Sequence, residues 1–258
     1  MSLIKSELRK VLYARANWGL LLGAILLSII SVVATPFIFE AGNFGTGLTL
    51  DSTQAIDAVY ANGISGYFFV IIFGIMIMAG EYRHGTAAAT FLTRPKRETV
   101  LAAKLGVAAI AGSIFMLISV WASILAGLVT LSGFENAAAP SSGTFLNLTI
   151  AGAVSGAILA IVGVSIGALF RNQMLAIVFS LVYLFVIDSL LLALWVDTGK
   201  FLPQGLITAM TAIDINAPEF GINTADFLDP IPATLVLLGY GAVFALISLV
   251  TSMRRDVE

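Results

Sequence analysis

The residues best equipped for chemistry sit in one stretch, Ala79 to Gly106, AGEYRHGTAAATFLTRPKRETVLAAKLG, which holds five of the chain's 13 lysines and arginines. These are Arg83, Arg94, Lys96, Arg97 and Lys104, joined by Glu81, Glu98 and the sole histidine, His84. Gly80 and Gly85 have the spacing of a phosphate-binding loop. Such a loop needs a lysine and then Ser or Thr after its second glycine, and it joins a strand to a helix. Here Thr86 follows Gly85 directly and the preceding run is long and apolar, so the stretch makes no nucleotide site. One histidine without cysteines or a carboxylate cluster holds no metal, and its place at a helix end gives it at most a minor role in sensing pH. What remains is a surface for docking. A loop that only fixes topology needs a few cations; it does not need Glu81 and Glu98 among them, or Phe91 and Leu92 in a segment that should be wet.

The elements that must position these residues follow from composition. With 59% apolar and 11% charged residues and a mean hydropathy of +1.01, the chain lies far outside the range of soluble domains. It reads as an all-α integral membrane protein, a single transmembrane domain over its 258 residues. A spanning helix needs roughly 20 apolar residues, and six runs qualify: 19–39, 58–80, 105–131, 145–170, 174–196 and 231–253. None contains a lysine or arginine. The first is about twice the length of a signal-peptide core and lacks a small-residue cleavage site, so it is read as a retained helix. The absence of cysteine excludes disulfides and thiol chemistry. A net charge of -2 gives no argument for nucleic acid.

Orientation comes from the basic residues. Twelve of the 13 fall in alternate segments, the N-terminal stretch, the loop after the second run, the turn after the fourth and the tail, with Lys200 alone opposite. The positive-inside rule places both termini and the Glu81 stretch in the cytoplasm of a plasma-membrane protein. Nine of the 15 acids, Asp57 and Asp197 among them, sort to the other side.

Residues 1–18 hold an amphipathic leader, in which Leu3, Ile4, Leu8, Val11 and Leu12 recur at helical spacing with Lys5, Arg9 and Lys10 off that stripe. Such a helix lies on the inner headgroups with its cations toward anionic lipid, unless it is only a flank to the first span. Outside, residues 197–230 form a long loop containing FLPQGLITAMTAI, too short to cross and too apolar to float freely. Two readings stand: a re-entrant or interface-lying helix, or a plain loop with a short surface helix.

Residues 81–104 read as a short helix, a break, and a charged re-entry led by Pro95, which suits a first helical turn. The pattern Glu81, Gly85, Thr86, Leu92, Pro95, Arg97 and Lys104 between a second and third membrane helix resembles the ABC-2 type permeases, the membrane subunits of ATP-binding cassette exporters. Pro95 and Arg97 stand two apart where the family often spaces them by three; the seven-residue step from Arg97 to Lys104 matches. The resemblance implies a coupling segment that fits a groove on an ATP-binding subunit, with Glu81, Tyr82, Arg83, Gly85, Thr86, Phe91, Leu92, Arg94 and Arg97 at the contact. It also implies ATP and Mg on that partner with no cofactor on this chain, and a second permease, copy or paralogue, to complete the transporter.

Two features of the spans stand beside this. Asp188, in YLFVIDSLLLAL, is the one formal charge well inside a run, either contacting substrate or pairing helices, or near enough to the outer face to hydrate. Gly152, Gly156, Gly163 and Gly167 form two small-xxx-small pairs suited to close helix packing. The function that fits is an exporter permease for an apolar or amphipathic cargo, such as a peptide antibiotic, drug or lipid-like molecule, which would place it in efflux and antibiotic resistance. The alternative is an ion- or proton-coupled secondary transporter or channel, a class that usually carries several intramembrane acids or inverted repeats. An intramembrane enzyme is a distant third, since no paired carboxylates or Cys/His cluster lies within the spans.

Overall fold

A computed structural model describes residues 3–41, 49–83, 85, 97–170, 172–213, 216–217, 222–223 and 226–254. Six helical segments are long and apolar enough to cross a membrane: Arg15–Glu40, Thr53–Arg83, Thr99–Leu131, Thr144–Phe170, Gln173–Leu194 and Pro230–Thr251, spans one to six. Apart from a two-residue antiparallel pairing of Asn216–Ala217 with Ile222–Asn223, the described elements are helical.

Span four is the hub. It is the most buried of the six, and spans two, three and six pack along it. Spans one, three, five and six turn rows of large apolar residues outward, among them Leu22, Leu26 and Ile30, Ile114 and Ile118, Val178 and Val182, and Leu235 and Leu238. Rows of this kind suit hydrocarbon and would be untenable in water. The chain is a multi-pass membrane protein.

Ahead of span one lies α1 (Leu3–Tyr13), and α2 (Arg15–Glu40) follows almost at once. The corner is fixed by side chains, because Asn17 Nδ2 donates to the carbonyl of Val11 and Trp18 Nε1 to that of Leu12, satisfying acceptors that the end of α1 would leave open.

Span two reaches further in both directions than the expected 58–80, and it is not one rod. It consists of α3 (Thr53–Ala61), a 3-10 turn at Asn62–Gly66, and α4 (Tyr67–Arg83). Asn and Gly are weak helix formers, and a neighbour makes the break tenable: Gly66 N–H donates to Ser28 Oγ of span one, which also bonds Ser119 Oγ of span three.

Span three is the core of α5 (Arg97–Leu131), and span four is α6 (Thr144–Phe170). Span five contains α7 (Gln173–Val182), a π-helical turn at Tyr183–Asp188, and α8 (Ser189–Leu194). After Trp195 the chain folds back through α9 (Val196–Gly199) and α10 (Pro203–Met210), and α11 (Pro230–Arg254) supplies span six. Gly199 approaches Leu192 so closely that an added Cβ would lie 2.4 Å from its Cα. Leu206, Ile207, Ala209 and Met210 are buried, with α10 packed chiefly on α11. Among the residues of the expected outer loop, those of α9 and α10 are therefore helical and tucked against spans five and six.

Candidate functional site

Where the leader meets spans two and three, four charged side chains form a closed ring. Lys104 Nζ lies 2.6 Å from Glu7 Oε2 and 2.8 Å from Glu81 Oε1, while Lys10 Nζ lies 2.7 Å from Glu7 Oε1 and 2.6 Å from Glu81 Oε1. Acid and base alternate around it. Lys104 is 1% exposed, Glu7 2% and Glu81 8%. Burying such charges is expensive unless each is paired and hydrogen-bonded, and the alternation meets that condition. Burial pushes the Glu7 carboxyl up, but the adjacent Lys104 and Lys10 ammonium groups outweigh it and hold the group below its ordinary value. Burial likewise pushes Lys10 down, while its hydrogen bonds to Glu7 and Glu81 carry it above the usual lysine value.

The ring joins three elements separated in sequence. Glu7 and Lys10 sit one turn apart on α1, Glu81 is in the last turn of α4, and Lys104 is two turns into α5. Ile4, Leu8 and Leu12 point away from the bundle and are exposed, while Val11 of the same stripe packs on the core, so α1 docks by its charged edge with most of its apolar stripe outward. The sequence places Glu81 at this end of span two; the structure adds that its carboxylate is turned inward onto Lys10 and Lys104.

Beside the ring, Tyr82 packs on the core and Arg83 Nη1 donates to Gln173 Oε1 at the start of span five, 3.4 Å away. Both line a cleft of about 600 Å³ with Asn172, Gln173, Met174 and Ile177. Asn172 caps α7, its side chain accepting from Leu175 N–H. Gly85 closes span two. Its φ of +66° is left-handed, and its N–H donates to the Tyr82 carbonyl, the usual way a glycine stops a helix. Thr86, Phe91, Leu92 and Arg94, with His84, lie outside the described residues. Arg97 is described only as the first residue of α5.

Asp188 stands apart from this cluster. It is 0% exposed, and its Oδ2 accepts the backbone N–H of Gln204, 3.0 Å away, at the start of α10. It thus anchors the folded-back segment, helped by Ser189 Oγ, which lies 3.0 Å from Gln204 Oε1. Its Oδ1 and the buried Tyr67 hydroxyl of span two have no hydrogen-bond partner among the described residues. Phe68, next to Tyr67, stacks on Phe185 of the π-turn at 4.0 Å and ties spans two and five together here.

The four glycines of span four face two neighbours. A Cβ on Gly156 would lie 2.5 Å from the Gly112 carbonyl oxygen of span three, and one on Gly163 would lie 2.3 Å from the Ile71 carbonyl oxygen of span two. Gly152 faces Val120 of span three, and Gly167 faces Ile75 and Ala79 of span two. The two neighbouring spans answer with Gly112 and Gly74. Backbone therefore meets backbone on both sides, as small residues in membrane helices permit.

Four residues of the structure carried little signal in the sequence. Glu7 is the lone acid of a basic leader, and only its one-turn spacing from Lys10 hints at a pair. Gly74 and Gly112 are isolated glycines in apolar runs. Asp57, buried at the far end of span two, accepts from Ser141 N–H at 2.9 Å, Thr144 Oγ1 at 2.7 Å and Ser141 Oγ, pinning the start of span four.

A helical bundle with six segments able to span a bilayer, with a ring of ion pairs at one end, buried except at Lys10, binding a leader to its second and third spans, is a multi-pass membrane protein. A family model described as ABC-2 family transporter protein matches residues 3–187, from the leader into span five. The chain belongs to that family. No match was found among curated proteins.

Proposed function

We propose that this chain is the membrane subunit of an ABC-type exporter in the plasma membrane, with both termini cytoplasmic. In this reading it moves an apolar or amphipathic molecule using ATP hydrolysed, with Mg, by a separate ATP-binding subunit, and it works beside a second permease. Family membership supports the partner. The observation that carries the reading is the charge ring, because it gathers the leader, the end of span two and the start of span three around both ends of residues 84–96. A push delivered to that segment reaches all three elements at once. Spans two and three pass it to span four through glycine contacts that leave no slack.

Glu81 then acts as a positioning residue, holding the coupling segment to the leader and to Lys104. Arg83, Gly85, Thr86, Phe91, Leu92, Arg94 and Arg97 remain for the partner's groove. The outward apolar stripe of α1 fits the inner lipid surface, and the fold-back of α9 and α10 between spans five and six fits a re-entrant segment.

The test is purification from native membranes in mild detergent, with mass spectrometry of what accompanies the chain. A near-stoichiometric soluble ATPase that is lost in Phe91→Asp/Leu92→Asp is the expected result. Glu81→Lys should still insert but, by setting a third ammonium beside Lys10 and Lys104, should lose transport together with thermal stability, so the Phe91 and Leu92 variant carries the test. Recovery of the chain alone, under conditions that preserve a known ABC complex, would overturn the reading in favour of an ion-coupled transporter.

A further inference from the structure

A cavity of about 210 Å³ lies between spans five and six, floored by Ile71 of span two and Leu159, Val162 and Ile166 of span four. Phe179, Ser180 and Tyr183 of span five line it from one side, Leu237 and Tyr240 of span six from the other, and Pro203 of the folded-back segment closes one end. The lining is apolar except at Ser180 and the two tyrosines. The Tyr240 hydroxyl is already committed, donating to the Phe201 carbonyl at 3.0 Å.

Ser180 is 3% exposed, and among the described residues its hydroxyl has no partner. Hydroxyls in helices usually return to the carbonyl one turn earlier, as Ser165 does here to Ile161 and Thr149 to Phe145. The Ser180 hydroxyl does not, which leaves one unsatisfied polar atom in an apolar cavity.

We propose that this cavity binds one small amphipathic molecule, an apolar body the size of a substituted aromatic ring carrying a single hydrogen-bonding group. The group meets Ser180, and the ring lies among Phe179, Tyr183 and Leu237. Size supports this, since an apolar cavity of about 150 Å³ takes benzene, and a somewhat larger one admits a substituent. Chemistry separates it from a lipid tail, which would fill the space and leave Ser180 unsatisfied. The proposal concerns occupancy and holds whether or not an ATPase drives the chain.

The test uses the full-length protein in detergent without nucleotide or partner, so its failure would leave the permease reading untouched. A phenol bearing a photoreactive diazirine is the probe, with para-ethylphenol and ethylbenzene as competitors and peptide mapping as the readout. Labelling should concentrate on the lining residues Phe179, Tyr183 and Leu184 of span five and Leu237 and Tyr240 of span six, and yield to para-ethylphenol. Ser180→Ala removes only the orphan hydroxyl, so the fold should survive; it should weaken para-ethylphenol about fivefold, the worth of one hydrogen bond, and leave ethylbenzene unchanged. Leu237→Trp should fill the cavity and abolish competable labelling. Even labelling of the outward-facing Val178, Val182 and Leu235, or equal competition by both compounds before and after Ser180→Ala, would overturn the proposal. So would a phospholipid found by native mass spectrometry whose removal is required before the phenol binds, because the occupant would then be an acyl chain.

Discussion

At the residue scale, Lys104 decides how the leader end holds together. Lys104→Met would leave Glu7 and Glu81 facing each other with Lys10 alone between them, and removing one partner of a buried pair costs about 3–5 kcal/mol. The expected result is a large loss of thermal stability in detergent, with Glu7→Leu/Lys104→Met losing less than the sum of the two single changes. The ring also sets a pH window. Glu7 is held below its ordinary value of 4.5, so its contribution is full above that value and is lost as pH falls through the lowered one. Lys10 is held above 10.5, so its contribution is full below that value and is lost as pH rises through the raised one. The leader should stay docked between these limits and release beyond either. The chain has no cysteine, so a spin-label pair at Leu8→Cys and Ala102→Cys would report the distance directly. Asp188 is tested by a contrast. Asp188→Asn keeps an acceptor for Gln204 N–H and should be tolerated, whereas Asp188→Ala removes it and should cost about 1 kcal/mol, as the loss of a helix cap does. Normal transport by Asp188→Asn would also count against ion coupling through this acid.

At the element scale, span four serves as a spine whose glycines set its distance from spans two and three. Gly163→Ala would place a methyl carbon 2.3 Å from the Ile71 carbonyl oxygen. Backbone cannot give way as a side chain can, so the cost should reach or exceed the roughly 1–3 kcal/mol typical of overpacking. A lower melting temperature with unchanged membrane insertion is the expected outcome. The four-residue spacing of Gly152 and Gly156, and of Gly163 and Gly167, was legible in the sequence because it lies along one helix. The partners Gly74 and Gly112 were not, since spacing within a helix carries no information about the helix it faces. The same limit hid the ring. Glu81 and Lys104 were visible as charges flanking one loop, but Glu7 is 97 residues from Lys104, and only the docking of α1 brings them together. The break in span two was masked by hydropathy, for Asn62–Gly66 is too short to interrupt an apolar run. Gly85 ends span two in left-handed backbone, a role that its place in the coupling pattern did not disclose. Gly85→Ala would put a side chain in left-handed backbone at a cost of about 1–2 kcal/mol, which limited proteolysis near residue 85 should register as faster cutting.

At the scale of the whole molecule, class and span count could be read from the sequence because apolar length is dictated by the bilayer and needs no tertiary knowledge. The path of residues 195–210 could not. The apolar character of FLPQGLITAM signals burial without saying against what, and the answer depends on Asp188 receiving Gln204 and Tyr240 reaching Phe201. The ring has one more consequence. Two positive and two negative charges alternate around it, so their fields cancel and fall away steeply with distance. At long range the ring itself is electrically silent. It therefore cannot attract a partner through solution. Any steering of an arriving subunit falls to charges outside the ring, such as Arg83, and salt should slow the arrival of that subunit far more than it loosens the leader.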